Sequence, residues 1–326
     1  MNASESARAD AGQPAAADSR RPIIVTGCPR SGTTFVGKVI GQSPEVFYIY
    51  EPFNDEAPHH LRLPERFIAL DEESGAAFRP AIDELIALGR PVTRWGKALR
   101  GAVECRAGEP DLAGRLAARA LAYRRDSFGK ARRVCIKDPL AFFAAEWMAD
   151  TYDAQVVVML RHPAGVISSY LALDWPSEMR AIAGCDIPVA NRDLAREVAE
   201  FRPDEHSALD GLLLQWRMFA MATLEMKKRR PDWIFLIHDR LCLEPEASMR
   251  DMFMRLDLDF SDDIAGRLRR DTTASARVGA AGHVQHRHSR DSRALVEDWR
   301  ERLDPAVAAR IMREAGEMWE EALAVL

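Results

Sequence analysis

The sequence predicts an α/β fold: a P-loop-like parallel sheet flanked by helices, in a single domain with helical insertions. Three observations predict it. Short, wholly apolar runs recur along the chain at lengths that suit strands buried on both faces. Segments of helical pattern lie between them, and strand alternating with helix is the rhythm of a parallel sheet. The first apolar run leads through a glycine-bearing turn into a helix, the order of a phosphate-binding loop.

The elements follow in order. Residues 1–20 are polar and alanine-rich, without an apolar stretch of signal-peptide length, and read as a disordered tail before a domain of residues 21–326. Strands are predicted at Pro22–Gly27, Val46–Tyr50, Val134–Ile136, Gln155–Leu160 and Trp233–Ile237. Helices are predicted at Thr33–Gly41, Pro139–Thr151, Pro163–Leu173 and His206–Arg229. Residues 283–326 form a His/Arg-rich loop and then helix. Two stretches interrupt the rhythm: 55–130, mostly helical and basic towards its end, and 174–230, irregular as far as residue 205. Both read as insertions, the kind of segment that carries acceptor recognition.

Composition narrows the function. A chain of 326 residues, 47% apolar and 29% charged, is an ordinary globular protein. With 45 basic against 50 acidic residues, its net charge of −5 gives no global electrostatic case for nucleic acid or membrane. No run of about 18 uninterrupted apolar residues predicts a membrane span. The cysteines at 28, 105, 135, 185 and 242 are odd in number and lack C-x-x-C spacing. They suit reduced thiols in a cytoplasmic protein, against a disulfide framework or a zinc site.

Ligands of open parallel sheets bind beyond the carboxyl ends of the strands. Arg30 follows the first predicted strand, Glu51 the second, Lys137 and Asp138 the third, Arg161 the fourth, and His238 and Asp239 the fifth. The topology gathers them into one electropositive pocket with a carboxylate. In the loop Gly27–Thr34, Gly32 lets backbone N–H groups turn to an anion and the helix from Thr33 points its positive end at it. Thr33 and Thr34 add hydroxyls. Thr33 stands where a Walker loop has lysine, and the strand Gln155–Leu160 ends in Arg161 where a magnesium carboxylate would stand. The loop is therefore expected to hold a 5′-phosphate-type anion without metal. In "VVVMLRHPAGVISSYLAL", Arg161 at a strand end and Ser169 on the next helix can grip one phosphate from two sides. The alternative is a surface arginine beside small packing serines.

"GCPRSGTTF", "SPEVFYIYEPF", "IKDP" and "LRHPAGVISSY" together resemble the sulfotransferases that use 3′-phosphoadenosine 5′-phosphosulfate (PAPS). The second is similar to the carbohydrate branch and "KDP" to the tyrosylprotein branch. "HDRLCLEPEASMRDMFMRLDLDF" and "RDSRALVEDWRERL" resemble later segments of these enzymes. The resemblance covers residues 21–54, 133–175, 233–260 and 283–303 and implies a single α/β domain. It implies that Arg30, Ser31, Gly32, Thr33 and Thr34 hold the 5′-phosphosulfate and that Arg161 and Ser169 hold the 3′-phosphate. Ser289 and Arg290 become further phosphate contacts on a closing loop. Glu51 becomes the general base, with Arg30 and Lys137 stabilising the leaving phosphate. The acceptor becomes a hydroxyl on a small molecule or glycan; the likeness of "YIYEP" points to a carbohydrate or glycoconjugate, with lipids, peptides and secondary metabolites as alternatives. PAPS is then the co-substrate, adenosine 3′,5′-bisphosphate the product, and no metal is expected.

Competing readings remain for several residues. Glu51 could pair with Arg30 or Lys137, and Lys137 with Asp138; His59 and His60 are rival bases. His283, His286 and His288 lack a carboxylate or cysteine partner and read as a polar loop. Trp95, Trp175, Trp216 and Trp299 read as core or helix packing rather than as a sugar platform. A P-loop kinase or NTPase, and a non-catalytic nucleotide-binding protein, are the rival functions.

Overall fold

Five parallel strands form one sheet in the order β2-β3-β1-β4-β5: β1 Ile23–Gly27, β2 Val46–Tyr50, β3 Arg133–Lys137, β4 Gln155–Leu160 and β5 Ile234–Ile237. The structure is a computed structural model that describes residues 21–55, 57, 61, 63–87, 133–185, 187, 189, 191–273 and 291–326. The expected tail and much of the first expected insertion lie outside the described residues.

Successive strand residues face opposite sides of the sheet. Ile23 and Val25 join one apolar cluster with Val157 and Met159 of β4. Helices α1 (Thr33–Ile40) and α6 (Pro245–Arg255) complete that cluster through Val36, Ile40, Met249 and Phe253. Ile24, Ile136, Val156 and Val158 face the other way. They pack with α2 (Ala145–Tyr152), α3 (Pro163–Leu171), α4 (Ala208–Arg229) and α7 (Pro305–Val325). Strands covered on both faces explain why their sequence is continuously apolar. Each such side chain, fully buried, contributes about 1.5–3 kcal/mol.

β3 is one residue longer at each end than the apolar run suggests, because both flanking charges are satisfied. Arg133 donates to Arg21 O at 2.8 Å and to Leu256 O at 2.5 Å. Lys137 belongs to the site described below. The helix predicted from Pro139 opens instead with a 3₁₀ turn, Phe142–Ala144, before α2. The Asp138 carboxylate takes the Leu140 N–H at 2.8 Å and bends the chain there. α4 starts at Ala208 because Ser207 and Asp210 form a capping box. Residues 174–205, expected to be irregular, hold helices Met179–Gly184 and Arg192–Glu200. The second expected insertion also takes in α4, whose Trp216 and Phe219 are core residues.

α1 lies close against β2 and β3. A Cβ on Gly37 would meet Lys137 Cγ and Tyr48 Cε2 at 2.8 Å each, so only glycine allows that approach. Among the described residues, no helix is long and apolar enough to cross a membrane.

Candidate functional site

Because all five strands are parallel, their carboxyl ends lie on one edge. The register sets Tyr50 and Val25 beside Lys137, and Gly27 beside Met159. Every charged residue expected to follow a strand therefore leaves the sheet on the same side.

The loop after β1 is a turn built for an anion. Gly32 has φ +97 and forms the N-cap of α1 with no side-chain cap, and no acidic residue lies in the helix's first turn. A helix N-terminus left this way presents N–H groups and a partial positive charge. Ser31 is fully buried, and its Oγ has no hydrogen-bond partner in the structure. A buried hydroxyl left unpaired costs about 1–3 kcal/mol. Thr33 is buried and Thr34 partly so. An orphaned hydroxyl beside an uncapped glycine turn fits a phosphate or phosphosulfate oxygen.

Arg30 joins this loop to the second sequence signature. Its Nε donates to Ser169 Oγ at 2.9 Å, and its carbonyl accepts from Arg161 Nη1 at 3.3 Å. Arg161 is a buried residue and not the surface cation of the alternative reading. Trp216 Nε1 holds its carbonyl at 2.9 Å, and its guanidinium reaches Leu295 O at 3.4 Å and Asp298 at 3.7 Å. Burial lowers the Arg161 pKa and Asp298 opposes the shift; arginine remains charged all the same.

The ends of β2 and β3 supply the carboxylate. Glu51 N–H donates to Lys137 O at 2.8 Å. Its side chain pairs with Lys137 Nζ and accepts from Asn54 Nδ2 at 3.0 Å. Lys137 is wholly buried, its Nζ 4.2 Å from the centroid of the Tyr50 ring. Burial lowers its pKa and Glu51 opposes that shift. Tyr50 is pushed up to about 12 by burial and by the Glu51 carboxylate. Asp138 serves a different purpose. Its two oxygens take the N–H groups of Phe53 and Leu140, and burial raises its pKa to about 7. Lys137 is thus the ionic partner of Glu51, and not of Asp138.

Backbone strain singles out the same residues. The described non-glycine residues with positive φ are Arg30 (70), Glu51 (44), Asp153, Asp174 and Asp257. Aspartate tolerates that region. Arginine and glutamate do so at a cost of about 1–3 kcal/mol, and such strain collects at functional sites.

Two histidines flank these loops: His238, which follows the fifth strand, and His162, which follows Arg161. His238 opens α5 (His238–Leu243) and packs against the loop, its Cδ2 3.0 Å from where a Gly32 Cβ would sit. Burial and the Arg161 charge lower its pKa to about 4, so it is neutral near pH 7. His162 stacks on Trp299 with centroids 5.0 Å apart, and burial lowers it to about 4 as well. Spacing within one motif could not have revealed the Arg30–Ser169 bond, which links two motifs. Ser289, Arg290, His59, His60, His283, His286, His288 and Trp95 lie outside the described residues. Among the described residues, no group of His, Cys, Asp and Glu is arranged to hold a metal ion.

Residues 22–262, well over half of the chain, match the model of the sulfotransferase family. No curated protein matches the chain significantly. Three solved structures illustrate the likeness. The sulfotransferase domain of the curacin biosynthetic pathway is 13% identical, covers 91% of this chain and 98% of its own, and has a TM-score of 0.47. The sulfotransferase domain of the Synechococcus PCC 7002 olefin synthase is 16% identical, with coverages of 93% and 98% and a TM-score of 0.43. A sulfotransferase from Mycobacterium avium is 15% identical, with coverages of 78% and 68% and a TM-score of 0.38.

Proposed function

The chain belongs to the sulfotransferase family, and from that premise we propose that it moves a sulfuryl group from PAPS to an acceptor hydroxyl on a carbohydrate or glycoconjugate. The observation that carries the reading is the Arg30–Ser169 bond. It ties the two expected phosphate-binding signatures to each other beside an uncapped helix, which supports the reading. Arg30, Ser31, Gly32, Thr33 and Thr34 bind the 5′-phosphosulfate. Arg161 and Ser169 bind the 3′-phosphate, with Ser289 and Arg290 as further contacts.

Transfer breaks the bond between sulfur and the bridging phosphate oxygen and forms a bond between sulfur and the acceptor oxygen. Glu51 takes the hydroxyl proton, and adenosine 3′,5′-bisphosphate leaves. Lys137 pairs with Glu51 and Asn54 donates to it, so the base is held in place before the acceptor arrives. Arg30 and Lys137 face the negative charge that grows on the leaving phosphate. Groups fixed in advance in this way supply most of the acceleration in transfers of charged groups. The free thiols of Cys28, Cys135, Cys185 and Cys242 suit a cytoplasmic setting.

Calorimetry tests the donor site. Adenosine 3′,5′-bisphosphate is expected to bind without added metal, and Arg161→Ala to weaken it by roughly tenfold to a hundredfold, as for a lost charged hydrogen bond. Uptake of magnesium ATP in place of the bisphosphate would overturn the reading.

A further inference from the structure

Trp175 is unlike the other described tryptophans expected to pack. Trp216 is 0% exposed and Trp299 6%, whereas Trp175 is 38% exposed. It stands out from a firmly built mount. Asp174, at φ 52, turns the chain in the left-handed region, and Trp175 N–H donates to Tyr170 O at 3.1 Å. The Tyr170 ring meets the indole edge to face, with centroids 6.2 Å apart. Two residues past Pro176, Glu178 N–H donates to Gln215 Oε1 at 2.7 Å, and Gln215 Nε2 donates to the Tyr170 hydroxyl at 3.0 Å. Tyr170 and Gln215 are each 1% exposed. A buried polar pair thus fixes both sides of a loop that leaves an indole partly open to water. Exposed apolar surface forgoes about 25 cal/mol per Å² of burial, a loss that packing by a ligand would recover.

Its position says which ligand. The Arg30 guanidinium lies over the indole, 5.2 Å from the ring centroid. Arg30 follows β1 and Glu51 follows β2, and their parallel strands end at the same edge of the sheet, so Trp175, Arg30 and the Glu51 group share that edge. Along this edge stand an aromatic face, Arg30, Ser169, and Glu51 with Asn54. Such a mixture suits a molecule with an apolar C–H face and hydroxyls on its rim.

We infer that Trp175 is the platform on which a pyranose ring of the acceptor packs, turning its hydroxyl towards Glu51. The inference rests on the proposed transfer and names its acceptor subsite. Trp175 sets specificity and takes no part in proton or sulfuryl movement.

The test uses saturation-transfer NMR on the full chain saturated with adenosine 3′,5′-bisphosphate, with methyl α-glucopyranoside and open-chain sorbitol as probes. The glucoside is expected to receive saturation well beyond sorbitol. Trp175→Ala is expected to weaken the glucoside roughly tenfold, the scale of one lost ring contact, and Trp175→Phe to retain most of the affinity. Bisphosphate affinity by calorimetry stays the same in all three proteins. Equal glucoside binding by Trp175→Ala and wild type overturns the platform. So does a parallel loss of bisphosphate affinity, which would make Trp175 a brace for Arg30, and so does a wild-type protein that prefers sorbitol. If the glucoside binds but labelled donor yields no sulfated product, the transfer reading fails and the platform stands.

Discussion

The two halves of the site are made of similar charges and are held in opposite ways. In the loop after β1, donors are fixed by backbone and left for something outside: Gly32 caps α1 with no side chain, and Ser31 Oγ is unpaired, while Arg161 at the end of β4 reaches Leu295 O and Asp298. At β2 and β3 the charges close on one another, with Lys137 on Glu51, Asn54 on the same carboxylate, and Asp138 taken up by two backbone N–H groups. An open half is suited to binding an anion that arrives with its own charge. A closed half is suited to holding a base in one position until a proton is offered. Binding and proton transfer should therefore separate cleanly under mutation.

The largest separation is expected at Glu51. Glu51→Gln keeps the shape and the Asn54 neighbour but cannot take a proton, so transfer of labelled sulfuryl should fall by about 10²–10⁴. Bisphosphate affinity should stay within twofold or so, since the open half is untouched. Calorimetry and a turnover assay on one preparation check both. Comparable activity of Glu51→Gln and wild type would dissolve the division between halves.

A smaller effect is expected from closing the open half sterically. Gly32→Ala forces a side chain into φ +97 and to 3.0 Å from His238 Cδ2. Strain of this kind costs about 1–3 kcal/mol. The thermal midpoint should drop by several degrees, and bisphosphate affinity should fall with it. Unchanged affinity would show that the anion does not use this turn.

The sheet, its parallel sense and the loop at its edge were legible because each strand is apolar on both faces and each ends in a polar residue. That Arg30, Glu51, Lys137 and Arg161 share one edge was legible for the same reason, since topology alone puts strand ends together. Their partners stayed open: Glu51 with Lys137 was one of the pairings the sequence offered, beside Glu51 with Arg30 and Lys137 with Asp138. Lys137 had Asp138 beside it in sequence, but its ionic partner is Glu51, because cross-strand register outranks adjacency. Ser169 was assigned with Arg161, one strand-to-helix step away, yet its hydrogen bond comes from Arg30. Trp175 was read as packing because an aromatic residue in one sequence carries no mark of exposure. The helices at Met179–Gly184 and Arg192–Glu200 were missed because each is short. Local pattern is weak over one or two turns, and an Asn191 cap and tertiary packing decide the second.

The smallest effect is on stability against pH, and here the two halves pull in opposite directions. His238, against the open half, has its pKa lowered from 6.5 to about 4, chiefly by burial and then by Arg161, with Asp239 and Asp298 opposing. The unfolded chain therefore binds more protons than the folded one between those values. The stability His238 contributes is present above pH 6.5 and is lost as pH falls towards 4. Asp138, in the closed half, is raised from 3.8 to about 7 by burial, with the Glu51 charge adding to the rise and Lys137 opposing it. Its protonated folded form is favoured at low pH, and that contribution is lost as pH rises from about 4 through 7. His238→Asn should flatten the acid limb of a thermal-melt profile between pH 4 and 6.5. Asp138→Asn should reduce the decline towards pH 7. If both variants shift the same limb, the halves titrate as one unit and the contrast between an open and a closed half does not extend to protons.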